Sequence, residues 1–273
     1  MTYENAAIGM LGPRDGSGRL THRTRRLPAA AREHATLRRT WRLLRAFRLE
    51  QTEPDVFYGA LAQDSVAQLA AFAGLTGATV LDVGGGPGFF ADAFTAAGAR
   101  YVAADVDAGE MRLHGREPGP LTVQGSGMEL PFGTGALDVT YSSNVAEHVP
   151  EPWRMADEMV RVTRPGGVVA RSYTLWFGPW GGHETSPWHL LGGARAADRY
   201  AERVGHRPKN DFGRTMFAVT AGDGLRWARS ASQAELVAAM PRYLPWWAAP
   251  VVRVPGVREV VGWNLLLILR VRS

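Results

Sequence analysis

The sequence predicts an α/β fold: a mostly parallel, seven-stranded sheet with helices on both faces, a helical N-terminal extension and an insertion after the fifth strand. Three observations predict it. Short apolar or β-branched runs alternate with helical stretches from residue 79 onward. The first of these runs ends in a glycine-rich turn that opens a helix. A chain of 273 residues, 45% of them hydrophobic, is long enough for one large domain with additions and short for two.

Residues 1–30 combine Gly, Pro, Ser and Arg without periodicity, which predicts a mobile basic arm. The charge is uneven: residues 1–48 hold eleven Arg against three acids, whereas residues 49–273 carry 20 bases against 23 acids. The net charge of +5 therefore belongs to the tail, and the mildly acidic body argues against a broad nucleic-acid-binding face. Residues 1–20 lack the apolar core of a secretory signal. The greasy stretch over 246–270 is interrupted by Arg253, Pro255, Arg258 and Glu259 before the ~18 residues a membrane span needs, so a cytoplasmic chain is expected. The absence of cysteine excludes disulfides, thiolate nucleophiles and Cys-ligated zinc.

A helical cap is expected over 31–75. Leu37, Trp41, Leu44 and Phe47 recur at i, i+4, i+7 and i+10, and Arg38, Arg42 and Arg45 lie on the adjacent face. The apolar stripe predicts a lid packed on the body. The Arg face is either merely solvated or offers peripheral contact to anionic lipid, at the membrane surface, or to an acidic substrate. A second helix over 55–74 follows Pro54.

The main domain is expected over 76–273, with strands at 79–83, 100–105, 121–124, 137–142 and 167–173 and helices such as 89–97 and 153–162 between them. The rhythm then breaks. Residues 174–219 are rich in Gly, Pro, Trp and His and predict an insertion, followed by a helix over 221–230 and strands at 235–242 and 263–271.

The most informative segment is Asp82-Val83-Gly84-Gly85-Gly86-Pro87-Gly88-Phe89, where glycines at 84, 86 and 88 let the backbone bend sharply and approach a ligand. A dinucleotide fingerprint starting at Gly84 would need glycine at 89, where Phe89 stands. Asp105, nineteen residues beyond Gly86 and at the end of the second strand, can accept hydrogen bonds from both hydroxyls of a ribose. A Rossmann-like nucleotide site follows from the pair.

Further motifs follow in order: Gly125-Ser126-Gly127-Met128-Glu129-Leu130-Pro131-Phe132, then Ser143-Asn144-Val145-Ala146-Glu147-His148-Val149, then Arg164-Pro165-Gly166-Gly167. Together with the glycine turn they resemble the class I S-adenosylmethionine-dependent methyltransferases, most closely the ubiquinone/menaquinone-methyltransferase-like branch with a type 11 domain. The resemblance covers about residues 55–174, and the flanks look like an uncharacterised actinobacterial group. It implies S-adenosylmethionine as cofactor, S-adenosylhomocysteine as product, and no metal. Asp82, Gly84, Gly86 and Gly88 would hold the methionyl end, Asp105 the ribose, and Ser126 and Gly127 the adenine; Gly85, Phe89, Val106 and Met128 border these positions and belong to the same set. The family carries Asp where Ser126 stands, and a hydroxyl accepts without charge assistance. Asn144 would lie under the sulfonium and Tyr58 over the methionine, although capping or core packing accounts for either residue equally.

Absences narrow the acceptor. The N/D-P-P-Y/F segment that accompanies adenine or glutamine N-methylation is replaced by Ser143-Asn144-Val145-Ala146, no cysteine is present for pyrimidine C5 chemistry, and Lys209 is the single lysine where RNA ribose methylation of the Lys-Asp-Lys-Glu type needs two. The expected reaction is O-methylation of a small, partly apolar acceptor, a metabolite, lipid or glycolipid. The alternatives are C-methylation of a quinone-like ring and a SAM-binding regulatory or nucleic-acid-associated protein. Residues 176–189 contain three of the nine Trp and two of the seven His. They supply an apolar wall with His183 as first candidate base and His189 as second, unless the Trp are core and the His surface residues. His148 reads as structural.

Overall fold

The computed structural model describes residues 27–50 and 52–273, so most of the expected basic arm lies outside the described residues. Three helices come first: α1 (Ala29–His34), α2 (Leu37–Phe47) and α3 (Pro54–Ala70). Thr36 caps α2 by accepting from the Arg39 amide, and Pro54 starts α3 at a position that needs no amide donor. The sheet and its helices follow as β1 (Thr79–Val83), α4 (Ala91–Ala96), β2 (Arg100–Asp105), β3 (Thr122–Gln124), β4 (Leu137–Ser143), α5 (Pro152–Val162) and β5 (Thr163–Thr174). After the insertion, which contains α6 (Gly193–Val204), come α7 (Ala221–Ser230), β6 (Ala234–Pro241), α8 (Val257–Val261) and β7 (Asn264–Val271).

The seven strands lie in the order β3-β2-β1-β4-β5-β7-β6, and only β7 runs antiparallel to its neighbours. Strand alternation divides the core between the two faces. Leu81, Val83, Leu267 and Leu269 pack with Met155 and Met159 of α5 on one face, and Val80, Val139, Leu266 and Ile268 with Phe94 of α4 on the other. Both faces being covered explains why β7 reads as an almost unbroken apolar run. Among the described residues, no helix is long and apolar enough to cross a membrane.

The structure corrects the phase of α2. Its buried positions are Arg39 and Leu43, while Leu37 and Trp41 of the expected stripe are 54% and 55% exposed and Phe47 is partly covered by Phe57 and Trp180. A buried ion pair fixes this orientation. Arg39 donates from Nε and Nη2 to both oxygens of Asp64 on α3, at 2.7 and 2.6 Å, and from Nη1 to the Arg242 carbonyl at 3.0 Å. A bidentate guanidinium–carboxylate pair is directional in a way an apolar stripe is not, so it sets the helix rotation. Charge therefore sets the rotation of α2, while Phe57, Leu61, Val66 and Leu69 of α3 hold the cap on the sheet by apolar packing, and Leu37 and Trp41 share the outer face with Arg38 and Arg45.

The insertion contains helical elements that the sequence pattern does not predict: two short 3-10 turns, at His183–Thr185 and Trp188–Leu191, and α6. Helix α6 buries mainly Ala196 and Ala197 beside Gly193, and ends at Gly205 with φ +89°. Small buried residues give it no large apolar stripe to find, although a glycine in that conformation is a frequent helix terminator.

Candidate functional site

The glycine turn between β1 and α4 adopts the backbone that its sequence requires, with φ of +78° at Gly84, +49° at Gly86 and +75° at Gly88. A Cβ at 84 would run into Val145 after β4, whereas Gly86 and Gly88 face open space. Parallel pairing of β1 with β2 brings the two acids to the same edge. Asp105 accepts from the Gly86 amide at 2.9 Å and from the Asp107 amide at 3.0 Å, which holds its carboxylate beside the turn; Val106 next to it is 65% exposed. Asp82 is buried and accepts from the Tyr101 hydroxyl at 2.8 Å. Burial pushes its carboxyl up to about 7, against the opposing pull of the Tyr101 hydrogen bond.

The third strand adds a wall. The Gly125 amide donates to the Asp105 carbonyl at 2.8 Å, Ser126 accepts from the Met128 amide at 3.2 Å, and Gly127 packs where a Cβ would press on Val83 and Met155. Tyr58 of α3 stacks on Phe89 with centroids 4.4 Å apart and donates to Glu50 at 3.2 Å. Arg116 lies over the Phe89 ring at 5.0 Å, donates to the Pro87 carbonyl at 3.1 Å and reaches Asp55 at 3.6 Å, so the start of α3 is fastened to the turn. Asn144, directly after β4, has φ +56°; its Oδ1 accepts from Asn264 at 2.6 Å and its Nδ2 lies 3.5 Å from the Tyr243 hydroxyl. The cofactor-site candidates are thus gathered at the carboxyl ends of β1 to β4, where ligands of open α/β sheets bind.

The two histidines separate. His189 is 1% exposed, its Nε2 bonds the Trp176 carbonyl at 2.8 Å, and its ring fills the space beside Gly182, so it supports the insertion from within. His183 has φ +47° and stands 5.2 Å from His148, ring to ring. Burial holds its pKa below the usual histidine value, against the charge of nearby Glu147. Glu147 is 1% exposed; one carboxylate oxygen accepts from the Thr174 amide at the end of β5 at 3.0 Å. The Trp residues also differ: Trp176 is core, Trp180 packs edge-on against Phe47 and Trp263, and Trp188 is an exposed ring under Arg199.

Sequence reasoning missed Glu147 as a neighbour of His183, and it missed Arg242. The latter is 1% exposed and donates to Ser143 at 2.7 Å, Ser172 at 2.6 Å, Ser65 at 2.6 Å and Tyr141 at 2.9 Å, joining α3 to the ends of β4 and β5. An acid in the apolar context of Val145-Ala146-Glu147 is the one local signal for the first. Nothing local marks the second.

Residues 81–170 match the family model described as a methyltransferase domain. An uncharacterized methyltransferase of Mycolicibacterium gilvum is 57% identical over 247 residues, covering 86% of this chain and 95% of that protein. Another, from Mycobacteroides abscessus, is 50% identical over 252 residues, covering 88% and 96%. Among solved structures, an S-adenosylmethionine-dependent methyltransferase from Mesorhizobium loti superposes with a TM-score of 0.52 at 18% identity, covering 78% of this chain and 97% of that one.

Proposed function

Because the chain belongs to the methyltransferase family, with the S-adenosylmethionine-dependent fold, we propose that it transfers a methyl group to a hydroxyl oxygen of a small, partly apolar acceptor, whether a metabolite, a lipid or a glycolipid. The observation that carries the choice of oxygen is His183, seated beside Glu147 next to the carboxyl ends of β4 and β5, with an imidazole Nε2 that has no partner. A nucleophilic ring carbon needs no such group, whereas a hydroxyl must lose its proton.

The residues fit the cofactor. Three glycines open the turn, Asp105 is already aligned, and buried Asp82, whose pKa lies near 7, is a place where a ligand's ammonium group would restore the charged form. Asp82 and Gly84 to Gly88 would hold the methionyl end, with Phe89 and Tyr58 over it and Asn144 beneath. Asp105 and Val106 would meet the ribose, and Ser126, Gly127 and Met128 the adenine. When bound, S-adenosylmethionine supplies a methyl group already activated by its sulfonium. The protein's remaining tasks are alignment, exclusion of water and disposal of a proton. Phe47, Trp180 and Trp263 form an aromatic cluster between the cap and β7 that suits exclusion. His183 assists the proton's departure.

Incubation of the full-length protein with methyl-labelled S-adenosylmethionine and fractionated host extract tests this reading. Label is expected in lipids or small metabolites, in a form released by ether or ester cleavage. Label that survives such cleavage places the methyl group on carbon, and label confined to RNA or protein contradicts the acceptor class.

A further inference from the structure

Glu147, His148 and His183 converge from two separate segments. One donor atom of each lies within 4.8 Å of the others, and no hydrogen bond joins any two of the three among the described residues. Each has its second polar atom engaged or its free atom unsatisfied in a way that matters. His148 Nδ1 lies 2.9 Å from the Thr215 carbonyl, which can only accept, so Nδ1 donates there and Nε2 is the ring nitrogen left to meet a ligand. One Glu147 oxygen takes the Thr174 amide, while Oε2 is buried without a partner, as is Nε2 of His183. A carboxylate almost wholly removed from water with an unsatisfied oxygen is costly unless a cation meets it. Arg171, also buried, donates instead to the Pro152 carbonyl and lies among the rings of Trp153, Tyr173 and Trp227; no hydrogen bond to Glu147 is present. His183 is held at φ +47°, a conformation that non-glycine residues seldom adopt and that clusters at functional sites.

We propose that Glu147, His148 and His183 form a binding site for a divalent transition-metal ion of the zinc or manganese type, which takes the acceptor's hydroxyl oxygen at an open coordination position. Two imidazoles and one carboxylate are the donor set such ions take, and three protein ligands leave room for substrate. Bonds of about 2.0–2.2 Å at tetrahedral angles put two ligands of one ion roughly 3.3–3.6 Å apart, so donor atoms that lie within 4.8 Å of one another have to close by at most about 1.5 Å, a distance that side-chain rotation covers. The Thr215 carbonyl on His148 and the Thr174 amide on Glu147 are the outer partners that orient ligands at metal sites. The ion's charge lowers the pKa of the bound hydroxyl, whose O–H bond breaks with the proton passing to water and the electron pair staying on oxygen. His183 would then assist proton loss through the ion. The inference rests on the O-methylation reading for its use, though not for the binding itself.

Untagged full-length protein, stripped with a chelator, is dialysed against zinc, manganese or magnesium chloride and its bound metal measured; affinities follow by calorimetry. The wild type is expected to bind one zinc or manganese ion per chain. Glu147→Gln and His183→Gln should each weaken it by more than the about 10- to 100-fold that loss of an outer partner costs. Thermal unfolding reports whether each variant is folded, and His183, less buried than Glu147, provides the deciding variant if Glu147→Gln is not. No bound ion in the wild type, equal binding by the folded variants, or magnesium binding as tight as zinc overturns the proposal. S-adenosylhomocysteine titrated into the same samples separates the two readings. Loss of the ion with intact nucleotide binding removes this inference alone, whereas ion binding without nucleotide binding contradicts the methyltransferase site.

Discussion

Replacing His183 with Gln is expected to lower turnover by about 100- to 10,000-fold, the range that assistance to proton transfer contributes. Affinity for S-adenosylhomocysteine should stay within about twofold, because every residue assigned to the cofactor lies in another segment. Gln preserves much of the side chain's volume and its polar character, so the partner-less position near Glu147 is not emptied. The same loss follows whether His183 takes the proton itself or holds an ion that acidifies the hydroxyl. The drop therefore tests the placement of the acceptor, and the metal titration divides the two roles. Initial rates at saturating cofactor, paired with calorimetry, make the measurement. Turnover within about tenfold of wild type would remove His183 from the reaction and favour an acceptor that is nucleophilic without help.

Asp64→Ala is expected to destabilise the protein by about 3–5 kcal/mol, since it leaves the Arg39 guanidinium buried without its carboxylate. Arg39 and Asp64 are 4% and 1% exposed, so solvent screening offers little relief. Arg39→Met combined with Asp64→Leu should recover most of the loss, because replacing both charges removes the desolvation cost along with the attraction. The pair also predicts a pH dependence. Burial raises the Asp64 pKa, but the His34 ring 3.3 Å away and the two hydrogen bonds and charge of Arg39 outweigh it and hold the carboxyl well below the usual carboxylate range. A carboxyl depressed in the folded state gives stability that is complete above its unfolded value, about 3.9, and is lost as pH falls through the folded value. Denaturant unfolding should therefore show the gap between wild type and Asp64→Asn constant near neutrality and shrinking below about pH 4. A gap that widens on acidification would contradict the assigned pairing.

These two predictions differ in how far the sequence could have led to them. The glycine turn, Asp105 and the boundaries of β1 and β2 are local: period-two apolar runs, glycines at fixed offsets and an acid at a strand end each have one reading in an alternating α/β chain. The rotation of α2 is not local. Leu37 and Trp41, half of the apolar stripe, are turned outward because Arg39 finds Asp64 on the next helix, 25 residues on, and a bidentate ion pair shifts the amphipathic pattern. Arg242 is hidden for the same reason, its hydroxyl acceptors coming from α3, β4 and β5. At the acceptor side, His183 was legible as a histidine following two glycines. Glu147 and His148 are legible only as part of the motif over 143–149, with His148 read as structural, because the part of the insertion that meets them lies more than 30 residues on. His189, six residues from His183, has similar surroundings in sequence and lies inside the insertion with its Nε2 on a carbonyl.

The glycine turn and Asp105 form the proposed cofactor seat, and calorimetric titration with S-adenosylhomocysteine tests it directly. Wild type should bind the nucleotide and not NAD. Asp105→Ala should bind it more weakly by about 1.5–3 kcal/mol, the contribution of hydrogen bonds to a charged acceptor, or roughly 10- to 150-fold. Unchanged affinity in a folded Asp105→Ala protein, or wild-type binding of NAD in place of S-adenosylhomocysteine, would contradict the assignment of this site.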